Sequence, residues 1–168
     1  MFKRKPSKDN SIEKAVKECA LFQGLSNSEL KTLLSISHIR DYSVDEKIFS
    51  EGTTGLCFYI IVKGSADIIR EQSPQGSTAV LRTYTEGSFF AESHLFSETT
   101  HTVSCTAREV TKLIIFSKPD FEDLIKIKPK LGNKLLMKFL AYMSEEMEQL
   151  YKQNIKVQDK NPVRETLA

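Results

Sequence analysis

The sequence is poor in cysteine: Cys19, Cys57 and Cys105 are an odd number, and no two of them form a Cys-x-x-Cys pair. That argues against a disulfide framework and against a zinc ribbon or finger, and it fits a reducing compartment. Long hydrophobic runs are missing as well. The longest, residues 58–62 and 113–116, fall far short of the ~20 residues that a membrane helix needs. Behind the basic start MFKRKPSKDN, the segment SIEKAVKECALF carries charges where a secretory leader requires an unbroken apolar stretch, so a cytoplasmic location is expected. Neither sign of charge dominates. Lysine and arginine total 24 against 22 acids, a net +2 that is too small for the whole surface to act as a nucleic-acid or anionic-lipid adhesive. With 40% apolar and 27% charged residues, the 168-residue chain has the composition of one folded domain.

Residues 1–10 hold Lys3, Arg4, Lys5 and Lys8 with Pro6 and little that is apolar, and they are expected to form a loose basic tail. A single domain is expected over 11–155. Ile12, Ala15, Val16, Cys19 and Ala20 recur at helical spacing, and Gly24 closes that segment. Ser26 and Glu29 stand at the spacing of a capping box, which predicts a second helix carrying Leu30, Leu33 and Leu34. The texture then changes to short runs rich in Ile, Val, Phe, Tyr and Thr, broken by turn residues. Strands are predicted near 38–43, 47–50, 56–63, 65–71, 78–84, 101–108 and 111–117. Many short strands at this spacing indicate an antiparallel sandwich or jelly roll. Pro119 opens a helix that stops at Lys128 and Pro129.

A longer helix is predicted from about Leu131 to Tyr151, ending near Ile155. Within it, Leu136, Leu140, Met143, Met147 and Leu150 are spaced 4, 3, 4 and 3, a coiled-coil seam, while Leu135, Phe139 and Tyr142 make an adjoining stripe. One stripe is expected on the β unit and the other in a homodimer. Residues 156–168 are expected to form a second loose tail. The 13 residues after Ile155 are too few for a pair of DNA-reading helices, so no DNA binding by this chain alone is expected.

The chemically informative stretch is 87–107. Residues 89–95 suit one helical turn, whose free amides favour an anion, and Glu92 beside it is an acceptor-only carboxylate suited to a sugar diol. Together these suggest a sugar-phosphate pocket. His94, His101, Glu92 and Glu98 lie close in sequence, but the His-x-His pair of metal-binding cupins is absent and no metal is expected. Cys105 alternates with Val103 and Ala107 as a small buried residue, not a nucleophile. Gly52-Thr-Thr-Gly55 lacks the Gly-Lys-Ser/Thr of a phosphate loop of the Walker type, and no Ser-His-acid set with an elbow motif occurs, so no catalytic apparatus is expected.

Five blocks in order resemble the cyclic-nucleotide-binding domain family of catabolite-activator-type regulators, protein kinase A regulatory subunits and cyclic-nucleotide-gated channels. They are Leu21-Phe-Gln-Gly-Leu-Ser26, Ile48-Phe-Ser-Glu-Gly52, Phe58-Tyr-Ile-Ile-Val-Lys-Gly64, Gly87-Ser-Phe-Phe-Ala-Glu92 and Pro119-Asp-Phe-Glu-Asp-Leu124. The resemblance implies a mainly β fold with flanking helices: an eight-stranded antiparallel β-roll with two N-terminal helices, a short cassette helix and a long C-terminal helix. It implies a site made of Phe90, Ala91, Glu92, Ser93, His94 and Leu95, with His101, Thr102, Val103 and Ser104 on the downstream strand.

In the family the cassette reads approximately Phe-Gly-Glu-x-Ala-Leu and is followed by an arginine that pairs with the cyclic phosphate, while the glutamate takes the ribose 2′-hydroxyl. Here Phe90, Glu92 and Leu95 match, Ala91 replaces the glycine, His94 replaces a small residue and His101 stands at the arginine position. Guanidinium is always charged and forked; imidazole is shorter and mostly neutral near pH 7. A lost charged hydrogen bond of ~1.5–3 kcal/mol weakens binding roughly 10- to 150-fold. Two functions follow as expectations. One is a sensor with no cofactor that binds cAMP or cGMP weakly and relays occupancy through the last helix to a protein partner. The other is a degenerate fold serving as a dimeric protein-interaction platform.

Overall fold

The structure is a computed structural model and describes residues 10–71, 78–97 and 99–160. The N-terminal residues 1–9, the 72–77 strand separator, Glu98 and the C-terminal residues 161–168 lie outside the described residues.

Helix α1 (Asn10–Glu18) runs into a 3₁₀ turn (Ala20–Phe22), and α2 (Asn27–Ser35) follows. The capping box is formed. The Ser26 amide donates to Glu29 Oε2 at 2.6 Å, and the Glu29 amide donates to Ser26 Oγ at 3.3 Å. Eight strands come next: β1 (His38–Tyr42), β2 (Lys47–Phe49), β3 (Cys57–Lys63), β4 (Ser65–Glu71), β5 (Thr78–Thr85), β6 (Phe89–Phe90), β7 (Ser104–Ala107) and β8 (Thr111–Ser117). A second 3₁₀ turn (Glu92–Leu95) links β6 towards β7. They form two four-stranded sheets in the orders β1-β8-β3-β6 and β2-β7-β4-β5, and every pairing is antiparallel. This is the β-roll.

The sheet positions explain the two apolar runs. β3 is covered on both faces: Phe58, Ile60 and Val62 face the helices, whereas Tyr59 and Ile61 join Tyr42, Phe90, Cys105 and Leu113 between the sheets. A strand buried on both sides has no solvent face to alternate towards, so its sequence reads as continuous hydrophobicity. Cys105 packs in that inner cluster, where burial pushes its thiol up to about 12.

Two features of the β region escape the strand pattern. β6 has only two residues, too few to display alternation, and its place is set by pairing of Phe89 and Phe90 with Ile60 and Tyr59. The strand predicted over 101–108 forms a ladder only over Ser104–Ala107. Upstream of it, His101 pairs with the 52–55 loop instead: its amide donates to the Thr53 carbonyl, and its carbonyl accepts from the Gly52 amide, both at 2.8 Å.

Helix α3 (Lys118–Ile127) is capped by Ser117, and α4 (Pro129–Lys160) follows after Lys128. Gly132 lets the two approach, since a Cβ there would stand 2.9 Å from the Ile125 backbone. α4 continues to Lys160, beyond the boundary expected near Ile155. Leu131, Leu135 and Phe139 are buried against the roll, and Lys134 pairs with Glu29 of α2 at 3.0 Å. The other stripe faces outward: Leu140, Met143, Met147 and Leu150 are exposed, with Leu136 half-buried. Among the described residues no helix is long and apolar enough to cross a membrane.

Candidate functional site

The first half of the site begins where β6 ends. Phe90 is buried between the sheets, and Ala91 then takes a left-handed conformation, φ 62° and ψ 23°, which turns the chain into the Glu92–Leu95 turn. For an alanine this costs about 1–2 kcal/mol. The turn splits its side chains between two environments. Leu95 drops into the helix-side core, while Glu92, Ser93 and His94 line a cavity of about 200 Å³ inside the roll.

The second half is the 101–103 segment, held by the 52–55 loop. His101 is 5% exposed and lies flat on Phe49, with ring centroids 3.8 Å apart and an 8° interplanar angle. His94 is its other ring neighbour, at 4.2 Å. Burial, and then the nearby His94, bring the His101 imidazole down to about 4, so it is neutral at physiological pH. His94 lies over Gly55, where a Cβ would come within 1.8 Å of its Cδ2. Its Nδ1 is buried and has no hydrogen-bond partner among the described residues.

Of the sequence-predicted residues, the cavity brings together Phe90, Ala91, Glu92, Ser93, His94, His101, Thr102 and Val103. Leu95 and Ser104 stand apart from it. Ser104 is buried on β7, and its Oγ accepts the Glu51 amide at 2.9 Å. Phe49, Ile68 and Tyr84 complete the lining and were not foreseen. Their signal was inward alternation on β2, β4 and β5, which identifies a buried face without saying whether it is filled or hollow.

Among the described residues Glu92 is the lining's one charged side chain. Burial raises its carboxyl above the ordinary range, the backbone amide of Glu92 itself opposes this, Glu146 of α4 adds to the rise, and Arg82 opposes it. No ion pair to Glu92 forms among the described residues. Arg82 lies over the Tyr84 ring at 4.7 Å. Beneath the same turn, Tyr142 of α4 packs edge-on against Phe89 at 4.7 Å, and its phenol is pushed up by burial and by Glu92. Phe96, just past the turn, meets Phe139 at 5.1 Å and Phe121 at 6.1 Å. The cavity-lining segment is therefore in contact with both C-terminal helices. Among the described residues no group of three or more His, Cys, Asp or Glu side chains is placed to hold a metal ion.

Residues 39–128, more than half of the chain, match the family model described as the cyclic nucleotide-binding domain. The chain belongs to that family. Domains of this family are regulatory. A cAMP-dependent protein kinase regulatory subunit from Mycosarcoma maydis is 29% identical over 99 residues, 59% of this chain but only 18% of that protein's length. A cyclic nucleotide-binding domain from Methylobacillus flagellatus shares the fold with a TM-score of 0.72 at 23% identity, covering 88% of this chain and 82% of that one. The catabolite activator protein of Thermus thermophilus superposes with a TM-score of 0.65 at 26% identity, covering 80% of this chain and 63% of its own.

Proposed function

We propose that the chain is a non-catalytic, cytoplasmic regulatory module that binds a cyclic nucleotide, cAMP or cGMP, weakly at neutral pH and passes its occupancy through α4 to a partner protein. The observation that carries this reading is the double contact of residues 89–96. Glu92, Ser93 and His94 line the cavity, while Phe89 and Phe96 in the same short segment pack on Tyr142 and Phe139 of α4. A ribose hydroxyl donating to Glu92 gives that carboxylate a second hydrogen bond beside the one from its own backbone amide. Any shift of the turn then bears directly on α4. A ligand acts as a switch only through such a difference in contact between two states.

The reading predicts weak binding because His101 is neutral and stacked, so the phosphate meets no fixed cation. A thermal melt of the full chain at pH 7, with and without millimolar cAMP or cGMP, tests it. A ligand that prefers the folded state raises the midpoint, by about 2.7 kcal/mol of stabilisation at 100 times Kd and less at lower saturation. An unchanged midpoint with both nucleotides, at pH 7 and at pH 5.5, would remove the sensor reading.

A second reading is favoured by the outward stripe of α4. Leu140, Met143, Met147 and Leu150 are all exposed on one seam, an arrangement that suits a helix pairing with its counterpart in a second copy. In that case the roll is a dimeric platform whether or not nucleotide enters.

A further inference from the structure

On the reading that a phosphate-bearing ligand enters the cavity, we infer that the His94–His101 imidazole pair forms the phosphate end of the site and that anion and proton bind there together. Among the described residues the lining contains no lysine or arginine, and its one charged side chain is the Glu92 carboxylate. A phosphodiester monoanion entering such a cavity gains no ionic partner and is repelled by Glu92. The two imidazoles are the only lining groups that become cationic by taking up a proton, and one proton reverses the balance.

The geometry of the pair suits a single charge. With the ring centroids 4.2 Å apart, a second proton would place like charges side by side, so the pair offers one positive charge to one negative ligand. The groups facing it are otherwise uncharged on three elements: Phe49 from β2, Ile68 from β4 and Tyr84 from β5. The 3₁₀ turn supplies Glu92 and Ser93, and the 52–55 loop supplies backbone at Gly52 and Thr53. Glu146 and Arg82 act on Glu92 from α4 and β5. Nothing in that shell keeps His101 charged before a ligand arrives.

His94 adds an independent mark. Its Nδ1 is buried without a hydrogen-bond partner among the described residues, an arrangement that folded proteins normally avoid. The ring is held by packing against His101 and the bare Gly55, so it has no Nδ1 hydrogen bond to lose when it turns towards an anion. The proton comes from solvent on binding and returns on release. No bond is made or broken.

The test is isothermal titration of the full chain with cAMP and with cGMP between pH 7.5 and 5.0, in buffer pairs of different ionisation enthalpy, for the wild type and His101→Arg. The wild type is expected to bind about tenfold more tightly for each pH unit lowered, with buffer-dependent heats reporting uptake of one proton. His101→Arg, carrying a permanent cation, is expected to bind at least about tenfold more tightly at pH 7.5 and with a flatter pH profile. Wild-type binding with a flat profile and no proton uptake overturns the inference and leaves the ligand reading standing. Binding by His101→Arg alone, with no heat from the wild type at any pH, overturns the inference and the ligand reading of the wild-type chain together. No heat from either protein with either nucleotide, under conditions where circular dichroism shows both folded, overturns the ligand reading and the inference with it.

Discussion

The His101 imidazole lies almost parallel to the Phe49 ring, with centroids 3.8 Å apart and an interplanar angle of 8°. Burial, and then the neighbouring His94, bring the His101 imidazole down to about 4, below the ordinary histidine value. A depressed histidine contributes stability that is present above its unfolded pKa of ~6.5 and is lost as pH falls through about 4. His101→Phe keeps the stacking surface and removes the titration. Its melting temperature should therefore fall less between pH 7 and pH 4 than that of the wild type, by a few degrees, since about 1 kcal/mol moves Tm by about 2–4 °C at this chain length. Parallel acid limbs would show that His101 does not titrate with folding.

Ala91 sits at φ 62°, where glycine is usual in the family and an L side chain is strained. Ala91→Gly should stabilise the fold by about 0.5–1 kcal/mol, the relieved strain exceeding the added freedom of the unfolded chain. Urea denaturation would register this as a higher midpoint with an unchanged slope. A lower midpoint would mean that the Ala91 methyl contributes more by packing than it loses by conformation.

Glu92 has its carboxyl raised by burial, with no ion pair to it among the described residues, so its charge opposes folding at neutral pH. The sign follows from the raised folded pKa: stability from this group is present below the unfolded pKa and is lost as pH rises through the folded one. Glu92→Gln is expected to gain about 1 kcal/mol at pH 7 and nothing near pH 3. Cyclic-nucleotide affinity should fall in the same variant, because an amide is a weaker acceptor for the ribose hydroxyl. Stability and affinity moving together would contradict the role given to the carboxylate.

Gly55 is bare where the His94 ring lies. Gly55→Ala drives the ring from its place, because the 1.8 Å approach leaves no room for a methyl. A cost of about 1–3 kcal/mol is expected, as for other overpacked sites, together with loss of the His94–His101 ring contact. Histidine proton shifts in NMR spectra report that contact directly. Unmoved His101 resonances would mean that the loop yields in place of the ring.

The seam on α4 yields a prediction about assembly. Leu140 and Met147 are 63% and 55% exposed, so Leu140→Glu with Met147→Glu should leave the melting temperature of an isolated protomer within about 1 °C. If the stripe pairs two copies, sedimentation equilibrium will show a wild-type dimer and a variant monomer. A wild type that is monomeric at 100 µM would assign the stripe to another partner.

How much of this was legible differed by element. The capping box of Ser26 and Glu29, the stop at Lys128 and Pro129 and the two stripes of α4 were readable because each depends on neighbours three or four residues away. Seven of the strands were readable from composition and turns. β6 was not, since a two-residue strand exists only through its pairing with Tyr59 and Ile60. For the same reason His101 was placed on a strand when its backbone partners lie in the 52–55 loop. Phe49, Ile68 and Tyr84 were visible as inward-facing residues, but nothing local marks which inward residues border a cavity.

By itself the sequence determined the all-antiparallel roll, its helical flanks and the residue types around the turn: a carboxylate at 92, an alanine at 91 and histidines at 94 and 101. Those are properties of residue type and short spacing. Only the tertiary structure decided what the histidines became. The two imidazoles lie ring against ring, one of them flat on Phe49 and the other over Gly55, and burial together with His94 brings the His101 imidazole down to about 4. That outcome comes from segments about 40–50 residues apart meeting inside the roll. Burial and stacking set the charge of a side chain, and both depend on what the rest of the chain brings to it.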